Sequence, residues 1–244
     1  MTKGAFIAMS RAVADGIRGL AHRSHAGEVL GWCNALSPLV RLYGGTDKLD
    51  HGYLPYYTRH LGPRRMGRLL LFEIGVGGYK SLTPGGSLRI WRDYLVRSRI
   101  VGLDISEKTV ELGTRVTFER ADQSDPEHLE RVVHTHGVPD VVIDDGSHVG
   151  AHIRRSFEYL WPLMPAGGLY VIEDLSTSYY PSYGGGDPAP ETSAVGLLRE
   201  LVDSVQAHDS TFVRHPGWGT RSAPQHPDVR ALHVYPGIAF VLKG

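Results

Sequence analysis

The stretch LFEIGVGG, Leu71 to Gly78, sets the reading of the whole chain. A continuous apolar run marks a strand buried on both faces, as in a parallel sheet. The glycines after it let the backbone leave the sheet and approach a ligand closely. Glu73 lies just before them. A carboxylate at that point repels a pyrophosphate and attracts a cationic group. The spacing is not GxGxxG, and Tyr79 to Gly86 reads as a loop rather than the start of a helix. Both features count against a dinucleotide site.

Further apolar runs follow at Ile100 to Ile105, Val116 to Arg120, Val141 to Asp144 and Leu169 to Glu173. A last pair occupies Ala231 to Tyr235 and Ile238 to Leu242. Amphipathic segments separate them and are expected to be helices: Ser87 to Leu95, Ser106 to Leu112, Pro126 to Thr135, Gly150 to Leu163 and Glu191 to Ala207. Asp125 before Pro126 is a capping residue followed by a proline at the first helical position. Strands alternating with helices build βαβ units and a parallel sheet with right-handed crossovers. Tyr235-Pro236-Gly237 breaks the rule, because Pro presets φ and Gly accepts a positive φ in a type II turn. The expected fold is therefore α/β and Rossmann-like: a seven-stranded, mostly parallel sheet that ends in an antiparallel hairpin. Residues 1–66 show helical spacing through Ala5 to Leu20 and Val29 to Leu42 and form an expected N-terminal helical extension, either a packing and oligomerisation layer or a lid. Residues 67–244 form the main domain.

Composition bounds the function. The 244 residues carry 26 basic and 26 acidic side chains, so no polyanion is expected as a partner, neither nucleic acid nor anionic membrane. Apolar content of 41% and charged content of 21% are those of a folded globular chain. The single Cys33 excludes a disulfide framework and a Cys-based zinc site, and suits a reducing compartment. Arg11, Asp15 and Arg18 interrupt any apolar leader, and no apolar run approaches the length of a membrane span. Cytoplasmic residence is the expectation.

The chemistry is concentrated at strand ends. Asp104 closes VGLD, where an acid accepts hydrogen bonds from ribose hydroxyls or caps the next turn. Asp122 and Gln123, in ADQSD, stand at the tip of the third strand, either to meet an adenine amino group or to serve as turn residues. The fourth and fifth strands run directly into paired acids, Asp144-Asp145 in VVIDDGSH and Glu173-Asp174 in YVIEDLSTSYY. Ligands of doubly wound sheets bind outside the carboxyl ends of the strands. Up to four carboxylates are thus expected to converge, and such a cluster repels itself unless a cation sits within it. Oxygen donors favour Mg²⁺ or a similar hard cation over zinc. His148, on the turn after Asp145, is placed as a general base, since imidazole as a class titrates near neutrality. His152, about one helical turn further on, is the rival base.

Together LFEIGVGGY, GGSLRIW, VGLDIS, ADQSD, VIDDGSH, VIEDLSTSYY and the upstream GGTDK resemble the metal-dependent sugar O-methyltransferases of natural-product biosynthesis, class I enzymes that use S-adenosylmethionine (SAM). The resemblance spans Gly44 to Gly185, more weakly the C-terminal hairpin. It implies Asp145, Glu173 and Asp174 as Mg²⁺ ligands and His148 as base. It implies Glu73, Gly75, Gly77, Asp104, Asp122 and Gln123 in the SAM pocket, with Thr46 and Tyr53 in a segment that closes over it. The implied reaction is methylation of a hydroxyl of a rhamnose-like deoxysugar on a glycosylated antibiotic, by a homo-oligomer. Tyr179, Tyr180 and Tyr183 either frame the acceptor or pack within a Gly-rich loop. Members of the family with a long N-terminal auxiliary domain differ from this chain. A catechol or other vicinal diol is the rival acceptor, and a non-catalytic SAM-binding module the rival class.

Overall fold

Seven strands form one sheet in the order β3-β2-β1-β4-β5-β7-β6 in the computed structural model, which describes residues 34–77, 85–109, 111–209 and 223–244. The strands are β1 (Leu70–Ile74), β2 (Arg99–Asp104), β3 (Val116–Arg120), β4 (Val141–Asp144), β5 (Leu169–Ile172), β6 (Val229–Tyr235) and β7 (Ile238–Lys243). β1 and β4 pair in parallel with Ile74 opposite Asp144, and β4 and β5 in parallel with Asp144 opposite Ile172. The ends of β1, β4 and β5 therefore lie side by side, as their acid-tipped sequences require. β5 and β7, and β7 and β6, run antiparallel. Pro236 and Gly237, the latter with φ of 78°, make the hairpin turn read from the sequence.

The helices are α1 (Leu36–Tyr43), α2 (Leu54–Leu61), α3 (Gly86–Tyr94), α4 (Pro126–His136), α5 (Gly150–Leu163) and α6 (Ala194–Gln206). All seven strands, the first expected over Leu69 to Ile74, fall within two residues of the expected bounds at both ends, and α5 falls on them. One expected helix is absent: residues 106–109 and 111–113 carry none. Instead Asp104 Oδ1 accepts the N–H of Ser106 at 2.8 Å, which turns the chain at once, and Gly113, with φ of 81°, turns it back toward β3. The α6 helix starts at Ala194 rather than Glu191, because Ser193 is its cap and accepts from the Gly196 N–H at 3.1 Å. Of the expected helix over Val29 to Leu42, residues 34–42 are described and carry α1 from Leu36; Asn34 before it is left-handed, with φ of 57°. The helical pattern of Ala5 to Leu20 lies outside the described residues.

The chain separates into two compact units. The first comprises Met1–Leu69, Val76–Ile100 and Thr109–Thr117. Within it α1 packs on α3, where the Tyr43 hydroxyl donates to the Asp93 carboxylate and Arg92 grips the same carboxylate at 2.6 and 2.7 Å. The second comprises Leu70–Gly75, Val101–Lys108 and Phe118–Gly244. Its core is formed by the inner faces of the strands and by α5, whose Ile153, Phe157, Leu160 and Trp161 recur at helical spacing and are all buried. Asp125 caps α4 through the Glu127 N–H at 3.0 Å, with Pro126 at its first position. No described helix is long and apolar enough to cross a membrane.

Candidate active site and metal centre

At the carboxyl ends of β4 and β5, Asp145, His148 and Asp174 each offer one ligand atom, and these atoms lie within 4.8 Å of one another. His148 Nε2 is 3.6 Å from Asp174 Oδ2. All three belong to the second unit. Two of the three non-glycine residues with positive φ among the described residues are in this cluster: His148 at 57° and Asp174 at 53°. A left-handed backbone costs a bulky residue about 1–3 kcal/mol and persists only where surrounding contacts impose it. Those contacts are visible. The Thr177 hydroxyl lies 2.7 Å from the Asp174 carbonyl and 3.3 Å from the His148 carbonyl, so one side chain links both strained residues. The Leu175 N–H donates to the Gly237 carbonyl at 3.0 Å, tying the Asp174 turn to the β6–β7 hairpin. Gly185 lies so close to the Thr177 and Ser178 carbonyls that a Cβ there would sit within 2.7 Å of them.

The fourth strand separates its two acids. Asp145, half-buried, faces the cluster, and its N–H donates to the Ile74 carbonyl at 2.9 Å. Asp144 turns into the interior and is 1% exposed. Its carboxylate accepts from Gln123 Nε2 at 2.9 Å, Ser156 Oγ at 2.7 Å and Tyr170 OH at 3.0 Å. The expected convergence of four carboxylates is thereby corrected: successive strand residues point to opposite faces, and Asp144 has the inner one. Glu173 is likewise buried, and is not one of the three grouped residues. Burial pushes the Asp144 carboxyl above its ordinary value, and the bonds from Ser156, Gln123 and Tyr170 offset this only in part. A raised acid is held more firmly protonated when folded. Its contribution to stability is complete below the unfolded value of 3.8 and is lost as pH rises through the folded value. Asp144→Asn should therefore flatten the fall in stability as pH rises from about 4 upward. Urea unfolding of both proteins across that range measures it; parallel curves would show that Asp144 does not carry the dependence.

The remaining expected site residues are distributed as follows. Glu73 is fully buried in β1. Gly75 has φ of 88°, and a Cβ on it would lie 2.0 Å from the Asp145 carbonyl oxygen, so only glycine admits the contact between the β1 and β4 turns. Asp104 ends β2 buried, with Lys108 Nζ 3.9 Å from Oδ2. Asp122 accepts from the Ser124 N–H and Oγ at 2.8 and 2.7 Å. Burial pushes its carboxyl up, but these bonds and the nearby His152 and His128 outweigh that and leave it below the ordinary value. The Gln123 amide, expected as a partner of adenine or a turn residue, is engaged within the protein. Nε2 donates to Asp144, and Oε1 accepts the Ser147 N–H at 2.8 Å. His152 Nδ1 faces Ser147 Oγ at 3.0 Å and is outside the cluster. Thr46, Tyr53 and Gly77 belong to the first unit; there Thr46 Oγ1 is 3.4 Å from the Lys48 N–H, and Tyr53 is buried. Tyr183 presents its ring edge to His148 at 6.2 Å between centroids, while Tyr179 and Tyr180 are exposed. The sequence assigned no role to Thr177, Ser156 or Tyr170, although Tyr170 and Thr177 lie within YVIEDLSTSYY; their roles follow from position alone.

A doubly wound sheet closed by an antiparallel hairpin, with acids at the tips of β1, β2, β4 and β5, defines the fold of a class I SAM-dependent methyltransferase. Comparison with known proteins agrees. The chain is 43% identical over 199 residues to mycinamicin VI 2''-O-methyltransferase of Micromonospora griseorubida, covering 80% of this chain and 48% of that one. It is 41% identical over 207 residues to 8-demethyl-8-alpha-L-rhamnosyl tetracenomycin-C 2'-O-methyltransferase of Streptomyces olivaceus, covering 84% and 53%. The solved structure of the MycE methyltransferase of the mycinamycin pathway, in complex with Mg, SAH and mycinamycin VI, superposes with a TM-score of 0.70 at 40% identity over 79% of this chain and 48% of that one. No family model matches. These relatives are sugar O-methyltransferases of macrolide and tetracenomycin pathways, and the chain is similar to them. It spans about half the length of the curated relatives it matches.

Proposed function

We propose that this chain is a Mg²⁺- and SAM-dependent O-methyltransferase acting on a hydroxyl of a rhamnose-like deoxysugar carried by a glycosylated natural product. The observation that carries the reading is the Asp145, His148 and Asp174 group at the sheet edge. Two carboxylates and an imidazole at that spacing suit a hard divalent cation with metal–oxygen distances of about 2 Å, after small side-chain adjustments. Asp145 and Asp174 would hold it, with Glu173 beside them in sequence. The SAM residues proposed are Glu73, Gly75, Gly77, Asp104 and Asp122, with Thr46 and Tyr53; buried acids at the tips of β1 and β2 suit a cationic ligand with ribose hydroxyls.

When bound, SAM supplies the methyl group on a sulfonium and Mg²⁺ lowers the pKa of the acceptor hydroxyl while orienting it. The chain does the rest. His148 takes the hydroxyl proton, and the carboxylates of Asp174 and Asp145 stabilise the imidazolium that results. Thr177 holds the His148 backbone and Tyr183 packs beside the ring. The exposed Tyr179 and Tyr180 offer flat apolar surface to the glycoside. Positioning accounts for most of the rate gain. Residues 67–244 are proposed as the catalytic domain and residues 1–66 as an extension through which copies of the chain assemble. A cytoplasmic location is part of the same proposal.

A methyl-transfer assay over rhamnosides, other deoxysugar glycosides and catechols, with and without EDTA, tests the reading. Product from deoxysugar glycosides, lost with EDTA and restored by Mg²⁺, is expected. Product only from catechols would overturn the acceptor class, and indifference to EDTA would overturn the metal.

A further inference from the structure

Gln123 stands between the buried carboxyl group of Asp144 and the turn that carries His148. Its amide orientation is dictated by its partners. Nε2 faces the carboxyl group of Asp144 and donates to it, at 2.9 Å from Oδ1 and 3.2 Å from Oδ2. The Ser147 N–H can only donate, so Oε1 faces that, at 2.8 Å. Gly146 makes room for the arrangement, since a Cβ on it would lie 2.1 Å from Gln123 Oε1 and 2.9 Å from Ile74 Cγ2. Directly after this bond the backbone enters the left-handed region at His148. The base of the assembly is rigid: Ser156 and Tyr170 bond to the Asp144 carboxylate from the other side, and all four side chains are buried.

We propose that Gln123 is a positioning residue: clamped by buried Asp144, it holds the Ser147 amide and so fixes the strained turn that sets His148 against Asp174. The proposal rests on the active-site reading for its consequence in turnover, but the clasp can be tested without it.

The test exchanges donor and acceptor. Gln123→Glu keeps the size of the side chain but turns an oxygen toward the Asp144 carboxylate, and should open the clasp. Asp144→Asn alone still offers its amide oxygen to Gln123. In the double variant Gln123→Glu with Asp144→Asn, the Asn amide donates to Glu, the Asn oxygen still accepts from Ser156 and Tyr170, and the second Glu oxygen still accepts from Ser147. The double variant keeps one buried carboxyl group in the pair, as the parent does. Amide hydrogen exchange of the segment 145–149 and Mn²⁺ affinity by electron paramagnetic resonance are measured on the full chain, with methyl transfer alongside.

Gln123→Glu should lose exchange protection in 145–149 and lose about 10- to 100-fold in Mn²⁺ affinity and in kcat, with the KM for SAM unchanged. The double variant should regain protection and come within a few-fold of the parent on the other readouts. Unchanged protection in Gln123→Glu, or no recovery in a folded double variant, overturns the proposal. A raised KM for SAM with kcat unchanged also overturns it, since Gln123 would then act on the cofactor. If the parent transfers no methyl group to any acceptor, the proposed activity fails, while exchange and Mn²⁺ affinity still decide the clasp.

Discussion

His148→Ala is expected to lower turnover by about 10²- to 10⁴-fold while leaving SAM affinity nearly intact. The size follows from the role, since a positioned general base contributes that much when its proton transfer belongs to the transition state. The geometry allows a sharper version of the test. His148 sits at a φ of 57°, which alanine adopts with strain and asparagine adopts readily. His148→Asn therefore keeps the backbone and removes the imidazole. Equal loss of kcat in both variants, with SAM binding by calorimetry unchanged, assigns the effect to the ring. Retained turnover in His148→Asn would mean that the turn, and not the imidazole, matters.

Asp174→Asn is the second large effect. It should cost at least about 100-fold in turnover and abolish the recovery by Mg²⁺ after EDTA treatment, because removing one carboxylate from the group weakens the hold on a hard cation. The same change should raise the thermal midpoint of the metal-free protein. Asp145 and Asp174 lie within the same 4.8 Å group, and like charges so close repel when no cation offsets them. Asn tolerates the left-handed φ of 53° at that position, so no new backbone strain offsets the gain. Activity and stability are thus expected to move in opposite directions, as at other sites built from strained or repelling groups. A metal-free midpoint that falls in Asp174→Asn would show that its carboxylate stabilises the turn by bonds stronger than the repulsion. Turnover that still responds to Mg²⁺ would remove Asp174 from the ligand set.

Much of this was legible before any coordinates. Runs that are apolar on both faces required a parallel sheet, and the Pro236-Gly237 turn required the final hairpin, because both depend on local φ preferences and on burial averaged over several residues. The placement of functional groups at the ends of β1, β4 and β5 followed, since strand ends of neighbouring parallel strands must share one edge. Where the signal was short it misled: the segment after Asp104 has helical spacing, yet the Asp104 side chain takes the Ser106 N–H and turns the chain.

What remained hidden was the division of labour among adjacent like residues. Asp144 and Asp145 are the same amino acid one position apart, and composition and spacing treat them alike. Only the tertiary structure sends one to the cluster and buries the other on Gln123, Ser156 and Tyr170, partners 12 to 26 residues away in the chain. Gln123 shows the same limit, with a motif that suggested a ligand and an amide occupied by Asp144 and Ser147. The sequence by itself determined the sheet, its edge and the chemical types gathered there, because those follow from periodicity and topology. Tertiary structure alone decided which side chain faces which partner, because that depends on long-range contacts and on two left-handed residues, His148 and Asp174, whose strain no local preference would select.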